Sequence, residues 1–408
     1  MKLIKKLIQP SGSGSKAPSA AAKAPVRLRT AEGAPAPLKV VLFIGHHKVG
    51  STSLQDFLAR NAPALARHGI LYPFVEFEGL SHMAAAAGGL LPPPEDSLPI
   101  NLREPHNALA FRMLADHKRG KVPSYHKRLP ALPQMVHAIQ QQIRFSEPHT
   151  VVLAAEVFAN FSAAGPELIE RLAGWFPGAE FTLVATLRRI DEYLASWHGQ
   201  RLKFGHKLAP LRKDGLESYL RGIHFNYRLM VEGWVTALPE ARVVLRDYEQ
   251  VRASGGSVAD FITQAGLDLP SGLAPERREN DSIHRAFYEI ARQANHRLAP
   301  ELAAELRKAL RTDLQGRLPL PASSSIELFG ADNRARMLEQ FRPIDAWLGE
   351  TVGRSTFFAD LEQVLERKPL PEPEAMQLAL AQLQLQELDR EGKETLSRFL
   401  TELAVPQT

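Results

Sequence analysis

The sequence contains no cysteine and no long hydrophobic run. Without cysteine there can be no disulfide framework, no thiolate nucleophile and no zinc or iron–sulfur site built on sulfur ligands. No apolar stretch approaches the roughly 20 residues that a transmembrane helix needs. Hydrophobic residues make up 44% of the chain and charged residues 23%, which excludes a fully disordered chain. These properties predict a globular protein in a reducing compartment, the cytoplasm.

The basic excess lies in the N-terminal segment. The net charge is +5, but residues 1–37 hold seven basic side chains against Glu32 as their single acidic one, so the remaining chain is nearly balanced. This distribution argues against nucleic acid as a partner. Ser, Gly, Ala and Pro dominate the segment, which is therefore predicted to be disordered. In residues 1–8, apolar and Lys side chains fall on opposite helical faces. We expect there either a weak contact with the inner face of an anionic membrane or a basic end without a partner.

Beyond the N-terminal segment, short apolar runs alternate with stretches of helical periodicity. Strands that alternate with helices are typical of βαβ units. The predicted fold is therefore α/β, a three-layer sandwich with a central parallel sheet, in which ligands bind at the carboxyl ends of the strands. The predicted strands are residues 39–45, 69–72, 150–155, 180–187 and 242–246.

The predicted domain organisation has three parts. A disordered basic segment covers residues 1–37, an α/β domain covers residues 38–368, and an amphipathic helical tail covers residues 369–408. Within the α/β domain, the chain beyond about residue 280 is predicted to be entirely helical through residue 365. Residues 374–405 are rich in Leu, Gln and Glu and predict one or two amphipathic helices that pack on the domain or on a partner.

The first predicted strand leads into a turn and a helix with a hydroxyl-rich start. Gly45 and Gly50 lie in the turn, and the helix begins with Ser51-Thr52-Ser53. Amides at a helix start lack partners and attract anions. An ATP-type loop has Lys directly after its last Gly, whereas Lys48 precedes Gly50. The pattern thus favours a P-loop-like turn for a phosphate other than that of ATP or GTP, and the alternative is a plain turn with Ser51 as the helix cap.

This turn resembles the phosphosulfate-binding loop, P-K-[TS]-G-[TS]-[TS]-x-L, of sulfotransferases that use 3′-phosphoadenosine 5′-phosphosulfate (PAPS). It departs at His47, where the usual residue is Pro but bacterial branches often have His, and at Val49, where it is Thr or Ser. The resemblance implies that the turn binds the 5′-phosphosulfate and that Lys48 is catalytic, stabilising charge on the bridging oxygen. The matching residues are His47, Lys48, Val49, Gly50, Ser51, Thr52, Ser53 and Leu54.

A second pair of residues resembles the 3′-phosphate motif of the same family. Arg188 follows the fourth predicted strand, and Ser196 comes eight residues later. A planar guanidinium and a hydroxyl donor suit a phosphate. The alternatives are a solvated strand end and an ordinary hydroxyl on a helix surface. A third and looser match is the segment Arg277–Ser282, which implies a basic loop closing over the nucleotide, unless it is only a helix start.

Glu156 follows the third predicted strand and is the predicted general base. Glycan-modifying members of the family carry a Glu after a strand in this role. We expect burial at the strand end to raise its pKa toward a useful value. The alternative interpretation is that Glu156 caps the next segment or pairs with an arginine. The alternative bases are His47 and His82, followed by His46 and His198. The histidines show no metal-ligand spacing, so no metal is predicted.

The resemblance implies a bacterial, glycan-modifying sulfotransferase with PAPS as co-substrate. Its acceptor is a hydroxyl or amine of a polysaccharide, oligosaccharide or glycolipid. Insertions at residues 74–130 and 199–215 are expected to form the acceptor cleft, with Lys203, His206 and Lys207 placed to meet an anionic sugar. Two alternatives remain: a degenerate nucleotide-binding assembly module without catalysis, and a kinase or other nucleotide triphosphatase, which the position of the lysine disfavours.

Overall fold

A computed structural model describes most of the chain from residue 36 onward. In this described part, no helix combines the length and apolar character that crossing a bilayer requires. The predictions of disorder for residues 1–35 and of a membrane contact for residues 1–8 lie outside the described residues, as does most of the predicted basic loop. The described ranges are 36–90, 98–277, 282–313, 318–384 and 393–404.

A five-stranded parallel sheet forms the centre of the fold. Its spatial order is β2-β3-β1-β4-β5, so β1 lies in the middle and pairs with β3 and β4. The α/β class, the parallel sheet and all five predicted strands are confirmed. The strands are β1 (Lys39–Phe43), β2 (Ile70–Leu71), β3 (Thr150–Ala154), β4 (Glu180–Leu187) and β5 (Arg242–Asp247).

Both faces of the sheet are buried. Phe43 at the end of β1 lies opposite Ala154 and Val184. Side chains alternate along the strand, so Leu42 joins the core on one face whereas Val41 and Phe43 join the core on the other. This double burial explains why the strands appear in the sequence as continuous apolar runs rather than as alternating patterns.

Helices connect the strands and form the C-terminal part. In chain order they are α1 (Ser51–Arg67), α2 (Phe77–Ala87), α3 (Ile100–Arg103), α4 (Pro105–Lys118), α5 (Leu132–Ser146), α6 (Phe161–Ala164), α7 (Glu167–Ala173), α8 (Ile190–Lys203), α9 (Arg228–Ala237), α10 (Tyr248–Ala253), α11 (Ser257–Ala265), α12 (Tyr288–Arg297), α13 (Pro300–Lys308), α14 (Ala331–Thr351), α15 (Glu372–Gln384) and α16 (Lys393–Ala404). Helices α1 and α11 cover one face of the sheet through Phe57 and Phe261. Helices α8 and α9 belong to the core on the other face, with Tyr193 and Trp234.

The C-terminal part departs from the prediction of an entirely helical region. A parallel pair, β6 (Ile326–Glu327) and β7 (Leu370–Pro371), joins two segments of it. The buried carboxylate of Glu327 accepts hydrogen bonds from Arg334 and from the amide of Lys368, which fastens the pair. Two-residue strands are too short to produce a periodicity, so the sequence pattern missed them. The predicted amphipathic helices are present as α15 and α16, and α15 packs on α12 of the main domain.

Candidate functional site

Three predicted site residues lie at the ends of neighbouring strands. Lys48 follows β1, Glu156 follows β3, and Arg188 follows β4 directly. Because carboxyl ends of parallel strands meet at one edge of a sheet, the sheet brings these segments together. Helix α1 leaves β1 over one face, whereas α8 leaves β4 over the other. Where the helices that follow two adjacent strands lie on opposite faces of the sheet, a crevice forms at the carboxyl ends of those strands.

The turn between β1 and α1 depends on left-handed backbone conformations. Gly50 has φ 85° and Lys48 has φ 61°. A Cβ at Gly50 would lie 2.1 Å from Oγ of Ser257, so both the space and the φ angle require glycine. The Ser257 hydroxyl also donates to the carbonyl of Val49 over 2.8 Å, which holds the turn against α11. The amides in the first turn of α1 lack intrahelical acceptors and carry partial positive charge, which suits an anion.

Glu156 contacts this turn directly. Its Oε1 lies 3.3 Å from Nδ1 of His47, and its Oε2 accepts a hydrogen bond from Ser51. Burial by itself would raise the pKa of Glu156, but His47, Ser51 and Lys48 together lower it to about 2. The prediction of a raised pKa is therefore wrong, because it considered burial without these three neighbours. The carboxylate is ionised at neutral pH and orients His47.

Two of the alternative bases are buried. The ring of His46 uses both nitrogens: Nε2 donates to the carbonyl of Ile223 over 3.0 Å, and Nδ1 accepts from the amide of His47 over 2.7 Å. Burial lowers the pKa of His46 to about 3, and it does the same for His198. His82 lies on α2, where its ring centroid is 6.3 Å from that of Phe74. Of the histidines predicted as bases, His47 is thus the one that touches Glu156.

Rings from α8 and the following loop form a wall beside His47. Its ring centroid lies 5.0 Å from that of Trp197 and 5.7 Å from that of His224. Trp197 and His224 stack on each other at 4.2 Å, and Nδ1 of His224 bonds the hydroxyl of Tyr193. Among the described residues, the buried Nε1 of Trp197 has no hydrogen-bond partner. The imidazole of His47 is thereby confined between a carboxylate and an aromatic wall.

One face of α8 connects the two predicted phosphate-binding residues. Nζ of Lys48 donates to Oε1 of Gln200 over 3.3 Å, and Nη2 of Arg188 donates to Oε2 of Glu192 over 3.2 Å. Ser196 is half-buried between them on the same face. At 1.5 Å of rise per residue, Glu192 and Gln200 are about 12 Å apart along the helix. Lys48 and Arg188 therefore lie on the same side of the molecule.

A second arginine shares the carboxylate that Arg188 contacts. Nη2 of Arg285 donates to Oε2 of Glu192 over 2.7 Å. Burial would raise the pKa of Glu192, but Arg285 and Arg188 lower it to about 2. The guanidinium of Arg188 also lies over the ring of Tyr248 at 5.1 Å, and its buried Nε has no hydrogen-bond partner within the described ranges. Two guanidinium groups on one carboxylate leave an excess positive charge that suits a phosphate.

The other predicted residues of the turn have separate environments. Oγ of Ser53 donates to the carbonyl of Arg277 over 3.0 Å, so the start of the predicted basic loop lies against α1. Thr52 is half-buried in the first turn of α1. The side chain of Val49 is fully buried in the core under α1 and α11, and only its backbone remains as a contact for a ligand.

Sequence reasoning missed several residues of this site. Glu192, Ser196 and Gln200 recur every fourth position, and this spacing, which places them on one face of a helix, was an available signal. Arg285 reaches the site from a segment almost one hundred residues later in the chain, and no local pattern indicates its approach. The missed residues are Glu192, Trp197, Gln200, His224, Tyr248 and Arg285.

Comparisons with known proteins add no functional assignment. No protein-family model matches the chain, and no solved structure matches it. An uncharacterized protein of Archaeoglobus fulgidus is 26% identical over 161 residues, which is 39% of this chain and 42% of that protein. The similarity spans less than half of that relative's length.

In the part of the chain that the structure describes, no group of three or more His, Asp or Glu side chains is arranged to hold a metal ion.

Proposed function

We propose that this protein is a PAPS-dependent sulfotransferase, which transfers a sulfuryl group to a hydroxyl or amine of a carbohydrate acceptor, a polysaccharide or a glycolipid. The proposal is based on one observation: the side chains of Lys48 and Arg188 both donate hydrogen bonds to residues on one face of α8. Their contacts are about 12 Å apart along that helix, a separation of nucleotide size. One ligand with phosphate groups on its 5′ and 3′ oxygens would engage both.

In this proposal, the donor lies across the carboxyl ends of β1 and β4. The first-turn amides of α1 and the Lys48 ammonium hold the 5′-phosphosulfate. Arg188, with Arg285 and the Ser196 hydroxyl, holds the 3′-phosphate. The buried Nε of Arg188, which lacks a partner among the described residues, supplies a donor for that group. Guanidinium groups match phosphate geometry through paired hydrogen bonds.

The transfer is a single displacement at sulfur. The acceptor oxygen or nitrogen attacks the sulfur while the bond from sulfur to the bridging phosphate oxygen breaks, and 3′-phosphoadenosine 5′-phosphate leaves. Lys48 stabilises the charge that develops on the bridging oxygen. The acceptor proton passes to the pair formed by His47 and Glu156. With a pKa of about 2, Glu156 is a weak base by itself, so it acts mainly by orienting His47 and stabilising its protonated form.

Ligand-induced stabilisation tests the donor assignment. We expect 3′-phosphoadenosine 5′-phosphate at one hundred times its Kd to stabilise the protein by about 2.7 kcal/mol, and ATP with Mg²⁺ to do so much less. Arg188→Ala should abolish most of the shift in melting temperature. Arg297→Ala removes an exposed arginine paired with Glu402 and is the matched control. An equal or larger shift with ATP would overturn the proposal.

Transfer of labelled sulfate tests whether the protein is an enzyme. Labelled PAPS is incubated with extracted polysaccharides and glycolipids, and the label in the glycan fraction is counted. Incorporation that depends on Lys48 supports the sulfotransferase. Tight nucleotide binding without incorporation into any acceptor would instead identify a nucleotide-binding module without catalysis.

A further inference from the structure

The loop between α4 and α5 is strongly basic. No Asp or Glu occurs in the sequence between Asp116 and Glu147, and five of the six Lys and Arg residues in that stretch fall within residues 118–128. All five are exposed. The chain beyond the N-terminal segment is nearly balanced in charge, so this concentration of one sign is local. We term residues 118–128 the basic loop; its cations are Lys118, Arg119, Lys121, Lys127 and Arg128.

The cations of the basic loop have no carboxylate partners within the described ranges. Glu167, which approaches the end of α4, pairs with His117 over 3.3 Å instead. Exposed arginines elsewhere each pair with a Glu, as Arg228, Arg252, Arg297, Arg342 and Arg398 do. Charges of one sign without counter-charges produce a positive local potential, which attracts a polyanion.

Two of these arginines have a left-handed backbone. Arg119 has φ 52° and Arg128 has φ 57°. Arg119 also ends α4, at a position where glycine or asparagine is usual. Glycine adopts such angles freely and asparagine more readily than arginine, and strained backbone of this kind is concentrated at functional sites. The backbone therefore does not favour arginine at either position, which points to a use for the two guanidinium groups.

Contacts with α3 and α4 hold the basic loop in place. Nδ2 of Asn101 donates to the carbonyl of Lys127 over 3.0 Å, and Oδ1 of Asn101 bonds Nδ1 of His126 over 3.0 Å. The buried ring of His126 packs on that of Phe111, with centroids 5.7 Å apart. Since these contacts already fix the backbone, binding of a ligand does not require the loop to be ordered.

Helix α4 connects the basic loop with the proposed catalytic carboxylate. Oδ1 of Asn107, in the first turn of α4, accepts from the amide of Val157, the residue after Glu156, over 3.3 Å. Phe111 lies about 6 Å further along the helix axis, and its ring centroid is 6.3 Å from that of Tyr125. The end of α4, with the first two cations, lies about 17 Å from Asn107. An extended polymer can therefore contact the loop and Glu156 together.

The surface of the basic loop suits a sugar chain better than a lipid bilayer. Within residues 118–128, all of which the structure describes, Tyr125 is the one large apolar side chain that is exposed. Binding to a bilayer surface needs a larger apolar face. A single ring packs on the C–H face of a sugar, while the cations around it bind carboxylate or sulfate groups through charge-assisted hydrogen bonds.

We infer that the basic loop binds the carboxylate or sulfate groups of an acidic polysaccharide, whose chain extends from there to the sugar unit that reacts at Glu156. The inference rests on the proposed function, because it takes the acceptor to be a glycan, and it narrows that acceptor to polyanionic glycans. The attraction acts between exposed charges, so binding should weaken as salt rises.

Titration calorimetry on the full chain compares a hexamer of galacturonate with its methyl ester, which has the same backbone without the charges. We expect the acid to bind about tenfold more tightly at low salt. Arg119→Asn/Arg128→Asn removes two cations of the loop and should weaken binding of the acid about tenfold. Arg252→Gln/Arg398→Gln removes two exposed arginines of other helices and should have little effect. The basic N-terminal segment is present in both double variants, so its contribution cancels.

Melting temperatures separate a binding role of the arginines from a structural one. Because asparagine accepts a left-handed backbone more readily than arginine, Arg119→Asn/Arg128→Asn should melt no lower than wild type although it binds the hexamer less tightly. A lower melting temperature with unchanged binding would overturn the inference. Equal binding of the hexamer and its methyl ester, or equal losses in the two double variants, would also overturn it.

Further probes separate other polyanions from a polysaccharide. Vesicles of phosphatidylglycerol and a DNA duplex are titrated into the same variants. If binding of either depends on the two loop arginines more strongly than binding of the hexamer does, the polysaccharide is the wrong partner.

The failure of this inference can be told apart from that of the proposed function. If the hexamer binds through the loop but 3′-phosphoadenosine 5′-phosphate does not bind, the proposed reaction fails and the role of the basic loop stands. If sulfate transfer occurs and Arg119→Asn/Arg128→Asn transfers to acidic glycans at the wild-type rate, this inference alone fails.

Discussion

Replacing Glu156 by Gln tests the electrostatics of the candidate site through stability alone. In the folded protein, the pKa of Glu156 is lowered from 4.5 to about 2. A carboxylate with a depressed pKa stabilises the fold above its unfolded pKa, and this contribution is lost as the pH falls toward the folded pKa. The whole shift corresponds to about 3 kcal/mol, of which about 2 kcal/mol should be lost between pH 6 and pH 3.

Urea unfolding of wild type and Glu156→Gln at a series of pH values from 3 to 6 measures this contribution. The difference between the two free energies of unfolding should shrink by about 2 kcal/mol toward pH 3, because only the wild type loses an ionised carboxylate there. Glu180→Gln, which removes an exposed carboxylate at the start of β4, should keep the wild-type profile. Parallel pH profiles for wild type and Glu156→Gln would refute the assignment of His47 and Ser51 as partners that depress this pKa.

Other substitutions test the backbone of the turn and the charges at each end of the proposed nucleotide site. Gly50→Ala should cost about 2 kcal/mol in urea unfolding, and Gly178→Ala, where φ is 71° but a Cβ would have no atom within 4 Å, about 1 kcal/mol. Equal losses of stability in the two variants would contradict the close approach of Gly50 to Ser257 on α11. Lys48→Ala should reduce sulfate transfer at least a hundredfold with an unchanged melting temperature, and a retained rate would exclude it from catalysis. Arg285→Ala should weaken binding of 3′-phosphoadenosine 5′-phosphate about tenfold in calorimetry. Glu192→Gln should strengthen that binding, since it removes the carboxylate that both arginines contact. If Arg285→Ala and Glu192→Gln both weakened nucleotide binding, or both strengthened it, the proposed role of the Glu192 charge would be refuted.

The architecture was largely predictable from the order of the apolar segments. All five strands of the main sheet appear in the sequence as apolar runs, because strands buried on both faces carry apolar residues at consecutive positions. The turn before α1 was equally visible, since Gly50 and the hydroxyl residues after it have local roles. β6 and β7 were missed because their pairing joins residues 326 and 370, and a contact between distant two-residue segments leaves no periodic trace.

The sequence indicated which positions form the candidate site, but not which charged side chains contact one another there. Lys48, Glu156 and Arg188 could each be assigned to a strand end, and the parallel sheet then places them at one edge. Their partners could not be assigned in the same way, because Gln200 and Arg285 come from segments far away in the chain. The direction of the Glu156 pKa shift depended on those spatial neighbours, which is why reasoning from burial alone predicted the wrong sign.

The sequence by itself determined where the five strands of the main sheet and the turn before α1 form, because apolar runs and glycine conformation act over a few neighbouring residues. Only the tertiary structure decided that two arginines contact the carboxylate of Glu192 and that His47 contacts Glu156. It also decided that the buried Nε of Arg188 has no hydrogen-bond partner among the described residues. Electrostatic energies depend on distances through space and on burial, and both are set by packing between segments that are remote in the chain.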